Sequence, residues 1–196
     1  RGFLQGIAAV SGALVIGVHL APGKAFAAAA TDGPMPNAFV RIAPDSTVTV
    51  LIKHLDMGQG VTTGLPTIVA EELDADWSQM RAAFAPADAQ LYNNLLFGPV
   101  QGTGGSTSVA NSWEQLRKAG AAARQMLVAA AAEKWGVPAD SITIEKGVLK
   151  SGGHTGSFGE FAEAAAKLPV PKEVKLKDPK DFKLIGTRLP RLDSAD

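Results

Sequence analysis

Residues 47–64 read Thr47-Val48-Thr49-Val50-Leu51-Ile52-Lys53-His54-Leu55-Asp56-Met57-Gly58-Gln59-Gly60-Val61-Thr62-Thr63-Gly64, a β-branched run that breaks into a glycine turn. Upstream, Phe39-Val40-Arg41-Ile42 alternates in polarity, and Pro44-Asp45-Ser46 has turn chemistry, so the two runs are predicted to pair as an antiparallel hairpin. Downstream, residues 67–73 (TIVAEEL) read as a helix, with Pro66 in its first turn, where a missing N–H costs nothing. Residues 79–85 then read as a strand that closes at Pro86.

Further along, residues 86–111 are turn-rich and polar around a few large apolar side chains, a long loop of the kind that usually carries function. Of those side chains, Tyr92, Leu95, Leu96 and Phe97 either border a substrate funnel or plug the core, and the core is the favoured reading. Residues 112–135 form the strongest helical pattern. Trp113, Leu116, Ala119, Gly120, Ala123 and Leu127 lie on one stripe, with Glu114, Arg117, Lys118 and Arg124 expected mostly outside. Gly136-Val137-Pro138 stops that helix, and residues 141–144 and 147–150 pair around Glu145-Lys146. Residues 157–167 read as a short helix opened by a capping box of Ser157 and Glu160. From Pro169 the chain turns Lys-, Asp- and Pro-rich, as a connector leaving the domain would. The predicted fold class is α+β, with antiparallel hairpins packed on helices rather than alternating βαβ units.

Composition narrows the function. Across 196 residues, 19 Lys+Arg balance 19 Asp+Glu, so no electrostatic footprint for a phosphate polymer exists and nucleic acid is not an expected partner. The absence of cysteine removes disulfides, zinc knuckles, thiol nucleophiles and iron–sulfur ligands from this chain. The three histidines, His19, His54 and His154, are scattered without an i, i+4 pair, so a histidine-built metal centre is not expected either.

At the start, residues 2–23 carry no formal charge, and the apolar run 7–18 is shorter than the roughly 20 residues a membrane span wants. With Arg1 before it and Ala25-Phe26-Ala27 after it, the segment reads as a twin-arginine-like export signal, cleaved or retained as an anchor. A helix packed on a partner is the structural alternative. Export of this kind places the expected location in the periplasm, in association with the inner membrane where the segment is retained as an anchor. The expected division is thus 1–23 signal or anchor, 24–37 linker (KAFAAAATDGPMPN), 38–168 folded α+β portion, and 169–196 connector to a further part of the subunit.

Two glycine turns carry whatever chemistry is present. The first is Met57-Gly58-Gln59-Gly60 with the residues to Gly64; the second is Gly102-Thr103-Gly104-Gly105-Ser106-Thr107-Ser108. Each opens a helix, and glycine lets backbone N–H groups converge on one spot beside a helix's positive end, which suits an anionic or acceptor-rich ligand. Both turns lining one pocket is the sharp reading; a plain turn and a flexible surface loop is the bland one. A dinucleotide fingerprint is disfavoured, because GQGVTTG is spaced GxGxxxG, and neither turn ends in GK[ST] as a Walker loop does. For acid–base work only His54 and Asp56 adjoin the first turn, and a structural role is the favoured reading for both. Of Glu71 and Glu72 on the following helix, one is expected to face solvent and the other to cap or pair. No nucleophile with a base and an orienting group is evident.

At these residues the sequence resembles the molybdopterin-binding large subunits of the xanthine dehydrogenase and aldehyde oxidase family. Within it, the resemblance is to the branch of isoquinoline 1-oxidoreductase β-subunits and membrane-associated aldehyde dehydrogenases. It rests on Met57-Gly58-Gln59-Gly60 with Thr62, Thr63 and Ala70-Glu71-Glu72-Leu73, and on Thr103-Gly104-Gly105-Ser106-Thr107-Ser108. It extends over most of residues 38–196. The resemblance implies that both elements wrap a molybdenum-bearing molybdopterin, as such or as its cytosine dinucleotide. Gln59 and neighbouring amides would lie at the pterin–dithiolene part, and the Ser/Thr loop near the phosphate end. The implied chemistry is hydroxylation of a small-molecule aldehyde or N-heterocycle with a glutamate as general base. Electrons would pass to 2Fe–2S clusters on a small iron–sulfur partner subunit or to a cytochrome c subunit. The family's catalytic glutamate and its GFG-type segment are not found in these residues, so the remainder of the large subunit is expected to supply them beyond Asp196. This chain alone then holds no catalytic residue. A non-catalytic assembly or binding module of a periplasmic complex is the alternative.

Overall fold

A computed structural model describes residues 14–16 and 39–194 of the chain. Its larger sheet holds β1 (Leu14–Ile16), β2 (Val40–Ile42), β3 (Val48–Ile52) and β4 (Met80–Phe84), in that spatial order. β1 pairs antiparallel with β2, and β2 with β3 in the register Val40↔Val50, which is the predicted hairpin. Its turn is closed by the Ser46 N–H on the Ala43 carbonyl at 2.9 Å, with Ser46 at φ 69. Apart from Leu14–Ile16, the segment read as signal or anchor and the linker at 24–37 lie outside the described residues. Among the described residues no helix is long and apolar enough to cross a membrane.

β3 and β4 are parallel, Val48 opposite Met80 and Ile52 opposite Phe84. Parallel neighbours need a crossover, and α1 (Val61–Leu73) provides it. The hairpin reading did not anticipate this one βαβ unit; with the other described pairings antiparallel, the class remains α+β. α1 starts well before the predicted first turn, at a left-handed Gly60, so Pro66 sits inside the helix, not at its mouth. Burial explains why the helix tolerates it: Val61, Leu65, Pro66, Ile68, Val69 and Leu73 all pack inward, and packing outweighs a lost helical hydrogen bond.

α2 (Ser108–Trp135) likewise starts four residues earlier than expected and ends on Gly136 at φ 65. It lies against α1 so closely that a Cβ on Gly120 would meet the Val69 carbonyl oxygen at 2.8 Å. A three-stranded antiparallel meander follows, β5 (Thr143–Glu145), β6 (Val148–Ser151) and β7 (His154–Ser157); the last, with little apolar character, was not legible as a strand. α3 (Phe158–Ala166) begins at Ser157 without the predicted capping box. Glu160 turns outward to Lys134 at 2.7 Å, and the orphan N–H of Gly159 is taken by the Ser46 hydroxyl at 2.9 Å. That contact requires glycine, since a Cβ would run into the Pro44 carbonyl.

One core joins these layers: Phe39, Ile42, Val50 and Ile52 of the sheet region, Leu65 and Leu73 of α1, Leu116 and Leu127 of α2, and Phe158 and Phe161 of α3. Two expectations about charge are corrected. Arg117, predicted outside, is buried against Glu72, its Nε donating at 2.7 Å. Glu71 and Glu72 are both buried. Glu71 accepts N–H bonds from Lys183, Leu184 and Ile185 at 2.7–3.0 Å, and Glu72 accepts the Lys177 N–H at 3.0 Å. The segment read as a departing connector is thereby docked along α1 and α2, because buried carboxylates must be hydrogen-bonded and its backbone supplies the donors.

Candidate functional site

The first glycine turn is organised by Asp56, half-buried where the chain leaves β3. One carboxylate oxygen accepts the N–H groups of Gly58 at 2.8 Å and Gly60 at 3.2 Å; the other accepts the N–H of Thr62 at 2.9 Å and its hydroxyl at 2.8 Å. Asp56 thus serves as the N-terminal cap that α1 otherwise lacks. The Thr62 N–H above all, then the Thr62 hydroxyl and the glycine N–H groups, hold its pKa far below the usual aspartate value. Gln59 closes the same turn on itself, its Oε1 accepting the Met57 N–H at 2.6 Å and its Nε2 donating to the Leu55 carbonyl at 2.7 Å. Gly58 and Gly60 have φ 101 and 82, and a Cβ on either would meet nothing within 4 Å. The backbone is therefore open on that side, and the N–H groups of Gln59 and Val61 have no partner among the described residues.

The second turn folds over Phe97, whose ring a Cβ on Gly102 would touch at 3.5 Å. Gly105 and Ser106 are consecutive left-handed residues, φ 59 and 56, which throws the chain into α2. The Thr107 hydroxyl donates backward to the Gly104 carbonyl at 2.8 Å instead of capping the helix. The first-turn N–H groups of Ser108, Val109 and Ala110 are left without a partner among the described residues.

The structure brings the two turns together. The Leu55 N–H donates to Thr103 Oγ1 at 2.8 Å. Beneath that bond His54 is fully buried, with Nδ1 3.2 Å from the Gly102 carbonyl and Nε2 2.9 Å from Asn111 Nδ2. Burial first, then the neighbouring Lys53 charge, holds its pKa below the ordinary histidine value. Lys53 is itself pulled down to about 8 by burial, its Nζ donating to the Asn93 carbonyl at 3.1 Å. Sequence reasoning missed Asn94 and Asn111, both buried in this network. A signal existed for Asn111, a polar residue on the inward stripe of α2, four positions before Gln115.

Around the turns, Leu55, Met57, Leu96, Phe97, Val100 and Val109 are exposed. The core reading of the 86–101 loop therefore holds for Tyr92, which packs edge-on to Phe39 at 5.6 Å, and fails for Leu96 and Phe97. Leu95 is half-buried. A cavity of about 500 Å³ opens between the first turns of the two helices, lined by Thr63, Gly64 and Thr67 of α1, Val109 and Trp113 of α2, and residues 184–189. A larger hollow of about 880 Å³ lies at the far end of α1, near Asp74 and Arg124, and touches neither turn. The open glycine backbone of the first turn and the unpaired N–H groups of both turns fit an acceptor-rich, anionic ligand bound between them.

The fold is that of a cofactor-binding domain. The chain belongs to the molybdopterin cofactor-binding domain family, whose pattern matches residues 5–189. It is 39% identical over 139 residues to isoquinoline 1-oxidoreductase subunit beta of Brevundimonas diminuta, covering 70% of this chain and 17% of that one. It is 35% identical over 162 residues to the membrane-bound aldehyde dehydrogenase [pyrroloquinoline-quinone] of Gluconacetobacter polyoxogenes, covering 77% and 19%. The chain thus spans less than a fifth of the length of these curated relatives. The crystal structure of the Cu,Mo-CO dehydrogenase shares the fold, with a TM-score of 0.51 and 21% identity over 64% of this chain and 15% of that one.

Proposed function

We propose that this chain is the cofactor-cradling part of the large subunit of a molybdenum hydroxylase that oxidises an aldehyde or an N-heterocycle. The observation that carries the reading is the junction of the two turns: Leu55 bonded to Thr103, with open glycine backbone in the first turn and unpaired N–H groups on both sides of the bond. Met57, Gly58, Gln59 and Gly60 would line the pterin–dithiolene end of molybdopterin, with the free N–H groups of Gln59 and Val61 as the donors, since those of Met57, Gly58 and Gly60 are held within the turn. Thr103, Gly104, Gly105, Ser106, Thr107 and Ser108, with the start of α2, would hold its phosphate end, in the plain or cytosine dinucleotide form. When bound, the cofactor supplies the two-electron hydroxylation chemistry. The chain's own part is to bind and orient it: Asp56 and Gln59 fix the first turn, and Phe97 braces the second.

The catalytic glutamate would come from a further part of the large subunit, a reading supported by relatives of which this chain spans less than a fifth. That further part is the fitting cover for the exposed Leu55, Met57, Leu96, Phe97, Val100 and Val109, since large apolar side chains left exposed around a site form an apolar rim suited to an interface. Electrons would leave to a 2Fe–2S subunit or a cytochrome c subunit. The export-signal pattern of the first residues supports a periplasmic site. Leu14–Ile16 also pair with β2, so N-terminal sequencing of the mature protein tests whether that segment is kept.

The test of function is metal analysis by mass spectrometry with a fluorescence assay for oxidised pterin, on the complex purified with whatever co-elutes. Molybdenum and pterin near one per complex, with iron on a second polypeptide, are expected. Neither group in a well-folded assembly overturns the reading and turns the apolar rim into the docking face of a non-catalytic module.

A further inference from the structure

The two turns are far apart in sequence and each is held internally, yet a ligand bridging them needs them in fixed register. The solvent-facing Leu55–Thr103 bond is one link. The other is buried. A carbonyl only accepts, so the His54 contact with Gly102 puts the proton on Nδ1; Nε2 is then bare and accepts from Asn111 Nδ2. Asn111 Nδ2 also donates to the Thr107 carbonyl at 2.7 Å. Asn94, fully buried, donates to the same Gly102 carbonyl at 3.2 Å and to Thr107 Oγ1 at 2.8 Å. His54 follows β3 and immediately precedes the first turn, whereas every partner named belongs to the second turn or its flanks.

We infer that His54 is a positioning residue that locks the second glycine turn to the first, with Asn94 and Asn111 completing the lock. The role toward the cofactor rests on the function proposed above. The side chain must donate on one edge and accept on another in one rigid plane, which neutral imidazole does. Phenylalanine keeps the shape and loses both bonds. Glutamine gives up the ring, but its amide donates through nitrogen and accepts through oxygen, so it can restore both.

The experiment is hydrogen exchange by mass spectrometry on the purified complex, with pterin retention measured after dialysis, for wild type, His54→Phe, His54→Gln and Asn94→Ala. In His54→Phe, exchange in residues 54–60 and 102–111 should rise about tenfold or more, since two buried hydrogen bonds are lost. Pterin loss should rise with it, while α3 exchanges as before. His54→Gln should recover most of both effects, and Asn94→Ala should loosen 102–111 even if His54→Phe does not assemble. Unchanged exchange in His54→Phe, or in Asn94→Ala where His54→Phe does not assemble, overturns the inference, as does equal impairment of the Phe and Gln variants. If wild type carries no pterin, the cofactor reading falls, and the exchange pattern alone upholds or overturns the lock between the turns.

Discussion

Asp56 shows how much one side chain decides at the residue scale. Its two oxygens accept four donors from Gly58, Gly60 and Thr62, and no other side chain caps the start of α1. In Asp56→Asn one oxygen becomes an NH₂ group that faces the Thr62 or glycine N–H donors, so at least one pair is lost and a donor faces a donor. Faster amide exchange at Gly58, Gly60 and Thr62 is expected, with a lower pterin content in the complex. Wild-type exchange at those three amides in the variant would show that the turn is held without the Asp56 carboxylate. The pH dependence follows from the sign of the shift. The folded-state pKa is depressed below 3.8, so the carboxylate's contribution is complete above 3.8 and is lost as pH falls through the lower folded value. The turn should therefore stay ordered through mild acid, and Asp56→Asn should remove that acid transition. Gln59 is a different case: its amide is spent at both ends within its own turn, so Gln59→Ala should loosen the backbone cradle instead of deleting a direct ligand contact.

At the scale of elements, the crossing of α1 over α2 is set by Gly120. Alanine within a helix normally gains about 1 kcal/mol over glycine. Here its Cβ would lie 2.8 Å from the Val69 carbonyl oxygen and 3.0 Å from Glu72 Cβ, and neither is a flexible side-chain end. Overpacking costs about 1–3 kcal/mol, so Gly120→Ala should lower stability despite its better propensity. A urea midpoint equal to or above wild type would show that the helices separate freely. The same balance between local preference and packing explains what the sequence let one read. The β2–β3 hairpin, β4, the β5–β6 hairpin and the Gly136 stop were legible because periodicity and turn residues agree there. The first half of α1 was not, since Val61, Thr62, Thr63, Gly64 and Pro66 are all poor helix formers and the helix exists through its contacts. Both glycine turns could be named from residue types, whereas the His54–Asn111 lock could not, because the place of Asn111 on the inward stripe of α2 marks it as buried without naming its partner 57 residues away.

Across the whole molecule, the segment from Lys177 to Asp193 links the far end of α1 to the candidate site. It begins at a cluster where Lys177 Nζ lies 2.7 Å from Asp74 and 3.4 Å from Glu71, and where Arg117 meets Glu72. Glu71 then grips three consecutive N–H groups, 183–185. Further on, the Pro190 carbonyl accepts from Trp77 Nε1 at 3.0 Å, and the Leu192 N–H donates to Thr63 Oγ1 at 3.1 Å, one turn behind the first glycine turn. Burial alone would raise the Glu71 pKa; the three N–H groups and Lys177 outweigh it, and the net shift is downward from 4.5. The latch is therefore complete above pH 4.5 and is lost as pH falls through the lower folded value. Glu71→Gln keeps one acceptor oxygen but no charge, so three charge-assisted bonds weaken together, at a cost of about 3 kcal/mol. Two tryptophans report the event, Trp77 through Pro190 and Trp113 through its edge-on packing with Phe182 at 6.3 Å. Their fluorescence in wild type should change in an acid transition below pH 4.5, and proteases should then cut within 178–188. In Glu71→Gln both signs should be present already at neutral pH, with faster exchange at Thr63. If that variant resists proteolysis as wild type does, the segment is held by its apolar contacts, and its reach to the glycine turn is passive.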